Sequence, residues 1–354
     1  MLNVKKLKKG DKIAIVSLSS GVLGEPFVAH EYYLGIKNLR ELGLEPVFMA
    51  NSLKGIDFIK DNPKARLDDL KQAFLDKEIK AILCAIGGND AYLVTKYALE
   101  DDEFKEIIKN NPKIFIGYSD ATTNHLLLNS LGLQTFYGMT FLSDFAEMYK
   151  GVLPYTENSF KTLFNNMINV YVEPSDVWYY ERKKFDACEL GKPRVQCENA
   201  GYVLLNGSGK TSGILYGGCV ELLYREVLMY CNDPLYNGYC SAILDKNMFN
   251  NSVVLLEVSE LKPEPAEFRK MLKKLIDFGM FENCNAVLFG KPQDEVYMQE
   301  YHDILKEELT KYNVLILANV NIGHSQPHAI LPLGAKVEVD AEAKTIQIKE
   351  EVLF

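Results

Sequence analysis

Paired cysteines, a dinucleotide-binding glycine loop, an excess of positive charge and a long apolar run are all missing from this chain. Each absence removes a class of function. The seven cysteines, Cys84, Cys188, Cys197, Cys219, Cys231, Cys240 and Cys284, are odd in number and scattered. None forms a C-x-x-C pair, so neither a zinc site nor a redox dithiol is indicated, and buried thiols in a reducing compartment are expected. No Gly-x-Gly-x-x-Gly follows an early strand, because Ser17-Leu18-Ser19-Ser20-Gly21 occupies that turn. This speaks against a dinucleotide-dependent oxidoreductase. The formal net charge is −9, and no basic stripe is interleaved with aromatics, which argues against nucleic acid or an anionic membrane as the main partner. The apolar run Ile13-Ala14-Ile15-Val16 behind the basic Met1 to Gly10 stretch is too short for a signal-peptide core. No segment reaches the length of a transmembrane helix, and a cytoplasmic location is expected. There is no internal repeat and no low-complexity tract.

What is present has the profile of a soluble globular enzyme. Hydrophobic residues make up 47% and charged residues 25% of 354 residues, enough chain for about two domains. The first part alternates strand and helix: strand 12–17, helix 25–42, strand 45–50, helix 65–77, strand 81–86, then a helix through Leu99 and a strand over 113–118. Such repeated β-α units predict a parallel sheet with helices on both faces and ligands at the C-terminal strand ends. The Ser17 to Ser20, Gly87-Gly88-Asn89-Asp90 and Ser119-Asp120 corners all fall on that edge. From Tyr149 to about Thr211 the pattern loosens around Pro154, Pro174 and Pro193, with the charged Glu181-Arg182-Lys183-Lys184 and the only tryptophan, Trp178, inside it. Order returns at 212–218 and continues as a helical pattern over 220–230, strand 252–257, helix 265–278, strand 286–289, helix 296–311, strand 314–318 and a terminal hairpin over 335–350.

The segment with most to say is Lys113-Ile114-Phe115-Ile116-Gly117-Tyr118-Ser119-Asp120-Ala121. A buried strand ends in a turn with glycine two residues before a serine, and a helix follows. This resembles a nucleophile elbow, with Gly-x-Ser-x-Ala in place of Gly-x-Ser-x-Gly. The adjacent helix N-terminus offers backbone N–H groups to an oxyanion. The same residues also suit an ordinary helix N-cap. Two later segments supply partners. Strand 253–256 ends in Glu257, with Glu260 three residues on, and either is also compatible with a solvated loop acid or a helix cap. His324 follows Gly323 in a loop behind strand 314–318, and His328 competes with it. His30, His125 and His302 sit within helical patterns, where surface or core roles are expected. The spacing His324-x-x-x-His328 is not a metal motif, because Pro327 breaks the helix and the companion glutamate is missing.

Taken with Gly87-Gly88, Gly217-Gly218, Leu256-Glu257-x-x-Glu260 and Gly323-His324 followed by Leu331-Pro332-Leu333-Gly334, the Ser119 segment resembles the LD-carboxypeptidases and the related microcin C self-immunity proteins. The resemblance extends over most of the chain. It implies an α/β fold: an N-terminal Rossmann-like parallel-sheet domain (1–165) bearing the nucleophile, a connector and insert (166–211), and a C-terminal β/α domain (212–354), with the active site in the cleft between them. It further implies Ser119 as nucleophile, His324 as general base and Glu257 as the acid that orients it. Glu257 is preferred to Glu260 because the family's acid closes the strand itself. The implied oxyanion donors are the backbone N–H of Asp120 and one from the Gly87-Gly88 turn, here taken as Gly88. Gly217-Gly218-Cys219-Val220 departs from the family's Gly-Gly-Asn-Leu, which makes Cys219 a candidate pocket residue. The length and the insert resemble the microcin-immunity branch, where Trp178 would stack on a nucleotide. No cofactor or metal is implied. The expected partner is a small peptide or aminoacyl-nucleotide substrate, and a homodimer is implied by the resemblance alone. The alternative is a non-catalytic, two-domain small-molecule binding protein whose cleft serves capture.

Overall fold

The computed structural model describes the whole chain except Asn3 and residues 233–236, and leaves the side chains of 230–232 and 237 undescribed. Five short apolar strands open it: β1 (Lys12–Val16), β2 (Glu45–Phe48), β3 (Ile79–Cys84), β4 (Ile114–Gly117) and β5 (Thr135–Tyr137). All pair in parallel, in the order β5-β4-β3-β1-β2. Ile13 to Val16, Ala81 to Cys84 and Ile114 to Ile116 are buried, as strands covered by helices on both faces require. This is the Rossmann-like lobe. The order reverses at β1, so the C-terminal ends of β1 and β3 frame a crevice of the kind in which such sheets bind ligands.

The stretch expected to be a looped connector supplies four strands: β6 (Val170–Val172), β7 (Val177–Tyr179), β8 (Gln196–Glu198) and β9 (Val203–Asn206). The next four, β10 (Lys210–Cys219), β11 (Ser252–Glu257), β12 (Ala286–Gly290) and β13 (Leu315–Val320), run parallel as the centre of a second sheet. Then come β14 (Leu331–Leu333), β15 (Lys336–Asp340) and β16 (Thr345–Ile348). The second sheet has the order β6-β16-β15-β10-β11-β12-β13-β9, while β7 and β8 form a separate ribbon. The terminal hairpin is thus present, and the connector closes both edges of the second sheet.

One pairing matters more than the others. After β13 the chain leaves the second sheet, and β14 adds antiparallel to β5 of the first. The intervening loop, residues 321–330, therefore crosses between the lobes. Hydrogen bonds fix its course: His328 N donates to Thr156 Oγ1 at 2.9 Å, Ile330 N to Ser159 Oγ at 2.8 Å, and Ser175 N to Asn321 Oδ1 at 2.9 Å. A single contiguous apolar core runs through both sheets, with Phe115 and Phe136 from one and Val254, Leu255 and Phe289 from the other.

Several local expectations change. The first helix begins at Ala29, after two 3-10 turns at Val22–Gly24 and Pro26–Val28. Glu25 is extended, with φ −89° and ψ 142°, and Val28 is non-helical, so no helix runs on from Glu25. Helices lie where none was expected, among them Gly55–Asp61 and Asp102–Asn110. The second carries its own signature, since the Asp101 side chain accepts from Phe104 N at 2.9 Å and Phe104, Ile107 and Ile108 form its buried face. Cys84, Cys219, Cys240 and Cys284 are buried, whereas Cys197 is half-buried and Cys188 is exposed. The Cys231 side chain lies outside the described residues. Among those described, no helix is long and apolar enough to cross a membrane.

Strand β10 presses closely on β11, and a Cβ on Gly217, whose φ is +135°, would overlap the Leu255 carbonyl. Gly217→Ala is therefore expected to destabilise the fold by about 2–4 kcal/mol. Urea unfolding measures this, and an unchanged midpoint would contradict the close approach.

Candidate active site

The corner after β4 is built from small residues because large ones do not fit. A Cβ on Gly117 would stand 2.8 Å from the Ala121 Cβ and 2.9 Å from Cys84 Sγ, which accounts for both small positions in Gly-x-Ser-x-Ala. Between them Ser119 adopts φ +62°, a conformation that costs a non-glycine residue roughly 1–3 kcal/mol and is held only by its surroundings. The hold is explicit: Ser119 N donates to the Tyr137 hydroxyl at 3.2 Å. The turn after β3 comes close as well, since a Cβ on Gly87 would lie 3.0 Å from Ser119 Oγ and 3.6 Å from Asp120 N.

His324 arrives on the crossing loop. Its Nε2 lies 3.0 Å from Ser119 Oγ and its Nδ1 2.7 Å from Glu257 Oε2. The other carboxylate oxygen, Oε1, accepts from the Tyr137 hydroxyl at 2.6 Å. Ser119, His324, Glu257 and Tyr137 thus close a ring that ties the Ser119 corner of one sheet to the end of β11 in the other. Glu257 is held by an absence of bulk: a Cβ on Gly290 or on Gly323 would collide with its side chain. With Nδ1 facing the Glu257 carboxylate, Nε2 is the ring position that faces the serine hydroxyl. Burial pulls the imidazole down, but the Glu257 carboxylate, joined by Glu260, outweighs it and pushes His324 up to about 10.

The competing histidines have other partners. His328 Nδ1 binds Asp144 Oδ1 at 2.7 Å, and Tyr118 lies between the two rings, 5.1 Å from His324 and 4.9 Å from His328. His125 Nε2 meets the Gly117 carbonyl at 3.0 Å, and burial pulls its pKa down to about 4. His302 is a buried helix residue, and His30 binds the Phe185 carbonyl at 3.0 Å. Glu260, passed over in favour of Glu257, also reaches His324, with Oε2 3.0 Å from Nε2.

Asp120 is fully buried and does not cap its helix. Its carboxylate accepts from Ser19 Oγ and from Ala91 N, and pairs with Arg225 at 3.1 Å. Arg225, on the helix Val220–Asn232, also donates to the Asn89 carbonyl at 2.7 Å and lies over the Tyr92 ring. The Asp120 turn and the segment behind Gly87-Gly88 are thereby fixed to each other. Among the described residues, no cluster of three or more His, Cys, Asp or Glu side chains is arranged to hold a metal ion.

Two comparisons bear on this geometry. The LD-carboxypeptidase N-terminal domain matches residues 13–138 and the LD-carboxypeptidase C-terminal domain matches residues 212–339. A solved MccF-like protein from Streptococcus pneumoniae, in complex with AMP, is 44% identical, superposes with a TM-score of 0.91, and the match covers 96% of this chain and 99% of that one. The chain belongs to the LD-carboxypeptidase family. A putative carboxypeptidase of Bacillus subtilis, YocD, is 28% identical over 97% of each chain. The Microcin C7 self-immunity protein MccF of Escherichia coli is 25% identical over 98% of this chain and 95% of its own.

Within this LD-carboxypeptidase fold, Cys219 is buried at the register position beside Glu257, and its N–H donates to Thr122 Oγ1 at 3.1 Å. Burial and the neighbouring Glu257 and Glu221 raise its thiol, so it stays a neutral wall behind the acid. Trp178 is only 3% exposed; Lys291 Nζ lies 4.9 Å above its ring and Tyr180 packs at 4.6 Å. These contacts are with Tyr180, just past β7, and Lys291, just past β12, rather than with Ser119, His324 or Glu257. Sequence reasoning missed Tyr137 and Arg225, whose roles come from tertiary contact. It also missed a recess of about 290 Å³ next to the Gly87 turn, lined by Val22, Phe27, Ile86, Leu142 and Phe185, with Glu31 inside. Burial, reinforced by Glu147, pushes the Glu31 carboxyl up to about 7.

Two outcomes follow from these contacts. Tyr137→Phe strands Glu257 Oε1 and the Ser119 N–H, each at a cost of about 1–3 kcal/mol. The rate at which a fluorophosphonate labels Ser119, read by intact mass, should fall roughly 10- to 100-fold while far-UV circular dichroism is unchanged; undiminished labelling would show that the phenol does not hold the corner. Glu31 binds its proton more tightly folded than unfolded, so stability is lost as pH rises from the ordinary carboxyl range through 7. Glu31→Gln should accordingly raise the free energy of unfolding at pH 8, by on the order of 3 kcal/mol at most, and leave it nearly unchanged at pH 5. Equal gains at both pH values would contradict a buried charge.

Proposed function

We propose that this protein is a serine-type hydrolase that cleaves an amide-type bond of a small acyl substrate through Ser119, His324 and Glu257. The observation that carries the reading is the alignment of Ser119 Oγ, His324 Nε2, His324 Nδ1 and Glu257 Oε2 at 3.0 and 2.7 Å, across two sheets. Ser119 Oγ attacks the carbonyl carbon while His324 Nε2 takes its proton. Glu257 holds the tautomer and balances the imidazolium. The tetrahedral oxyanion faces the N–H groups of Asp120 and Gly88. His324 then gives the proton to the leaving nitrogen, the C–N bond breaks, and an acyl-enzyme remains on Ser119. Water, deprotonated by the same imidazole, releases the acid.

The substrate we favour is an aminoacyl-nucleotide of the microcin C type. A near full-length relative at 44% identity holds AMP. Here the recess beside the Gly87 turn, with Phe27 and Phe185 on its wall, offers apolar surface to a flat ring. A murein LD-peptide is the second reading, supported by the family of both matched domains. Pure capture would give no reason for a serine held at φ +62° against a histidine.

Separate incubations with an aminoacyl sulfamoyl-adenosine and an L,D-tetrapeptide stem, read by mass, test the reading. The wild type should hydrolyse one of them. Ser119→Ala and His324→Ala should each lower turnover by about 10³-fold or more while remaining folded. Undiminished turnover in both variants would overturn the assignment.

A further inference from the structure

His324 Nε2 has one position in its ring plane and two neighbours for it. Ser119 Oγ and Glu260 Oε2 both lie 3.0 Å away. Activation of the serine and the contact with Glu260 require opposite protonation, since an N–H at Nε2 leaves Ser119 Oγ only an acceptor. A serine hydroxyl donates to a lone pair on Nε2, whereas a carboxylate needs an N–H there. With Glu260 engaged, the ring is an imidazolium and cannot act as a base; with Glu260 withdrawn, the lone pair meets Ser119.

The two carboxylates at this histidine are held very differently. Glu257 is buried at the end of β11, locked by Tyr137 and by the glycines around it. The Glu260 side chain is 59% exposed, in the loop behind β11, beside an even more exposed Leu261. It can leave the ring when something better is offered. A better partner for a carboxylate at the mouth of a buried site is a cation. The nearest basic residue in that loop, Lys262, is already paired with Asp294 at 2.6 Å. A substrate ammonium on the carbon next to the scissile carbonyl would stand within reach, since that carbonyl must sit on Ser119 beside the same ring nitrogen.

We propose that Glu260 is a specificity residue that exchanges its bond to His324 for a bond to a free substrate ammonium, so that such substrates release the base. The proposal rests on the reading of Ser119 and His324 as nucleophile and base. It names the substrate class: acyl groups with an unmodified α-amine, as in an aminoacyl derivative. An internal peptide residue, whose nitrogen is acylated, has no cation to offer and leaves Glu260 in place. The groups facing His324 are consistent with this. Glu257 and Glu260 are the carboxylates at its two nitrogens, and the Tyr118 ring and Ser119 complete its near shell. Beyond them lie the Tyr137 phenol and the Cys219 thiol, both raised in pKa by burial and by Glu257, and the Asp144–His328 pair across Tyr118. The two nearest acids outweigh burial in holding the ring protonated at neutral pH.

The test compares an aminoacyl sulfamoyl-adenosine with its N-acetyl derivative, on the wild type, Glu260→Gln and Glu260→Asp. The wild type should prefer the free amine in kcat/KM by about 10- to 100-fold, the range for one charge-assisted bond. Glu260→Gln should lose that preference, and Glu260→Asp, which keeps the charge, should retain part of it. Fluorophosphonate labelling of Ser119, which involves no amine, should begin at lower pH in Glu260→Gln, because one carboxylate that stabilises the imidazolium is gone. A preference that survives in Glu260→Gln, or a labelling profile that does not move, overturns the proposal. Neither result touches the hydrolase reading, which fails only if Ser119→Ala still turns over substrate.

Discussion

The bond between His324 Nδ1 and Glu257 Oε2 is the contact on which the rest of the molecule converges. Its acid ends a strand of the second sheet, its imidazole rides a loop on the way to the first, and the serine it faces belongs to the first sheet alone. For these to meet, the chain must cross between lobes, and β14 does so by pairing with β5. Tyr137, the last residue of β5, then reaches both Glu257 and the Ser119 backbone. The pairing that brings the histidine over is therefore also the pairing that positions the phenol. The glycines serve the same convergence: Gly290 and Gly323 leave room for the acid, while Gly217 and Gly218 let β10 lie against β11 and Thr122.

Two carboxylate–histidine pairs lie side by side in this loop, and they have different surroundings. Asp144–His328 is wholly buried, and its Nε2 has no hydrogen-bond partner among the described residues. Its Nδ1 contact and the His328 N–H bond to Thr156 tie the crossing loop to the first lobe. Glu257–His324 instead points Nε2 at a serine on a strand end. In a site this dry each polar contact is stronger than it would be in water, and each unmet one costs more. The buried Asp120, with Arg225, Ser19 and Ala91 around it, follows the same rule and keeps the two backbone turns in register.

The parts legible in the sequence were those set by local pattern. Ser119, Glu257 and His324 each stand at a strand end or behind a glycine, and the apolar runs of both sheets alternate with helices at short spacing. The helix Asp102–Asn110 was equally legible, since Asp101 precedes an i, i+3, i+4 set of Phe104, Ile107 and Ile108; its signal went unread. Tyr137 and Arg225 were not legible, because an aromatic at the end of an apolar strand and an arginine in an amphipathic helix look alike in every fold. The strands of residues 170–206 escaped for a related reason. They are three or four residues long, β6 and β9 at the edges of a sheet whose centre comes later in the chain and β7 and β8 in a separate ribbon, so no local alternation marks them. Trp178 stood out as a singular residue, yet its burial is set by Lys291 and Tyr180, which no spacing reveals.

One core runs through both sheets, so the lobes are packed against each other and the acid and serine are brought together by folding itself. Selectivity then falls to what lies outside that core. Two exposed features flank the buried triad: the recess with Phe27 and Phe185 on the Gly87 side, and the Glu260-Leu261 loop on the histidine side. The first is largely apolar surface, with the Glu31 and Asp186 carboxyls also on its wall. The second carries a carboxylate, with Glu260 Oε2 3.0 Å from His324 Nε2. Under the proposed reading, a change in either feature would alter what enters while leaving the buried ring of Ser119, His324, Glu257 and Tyr137 in place.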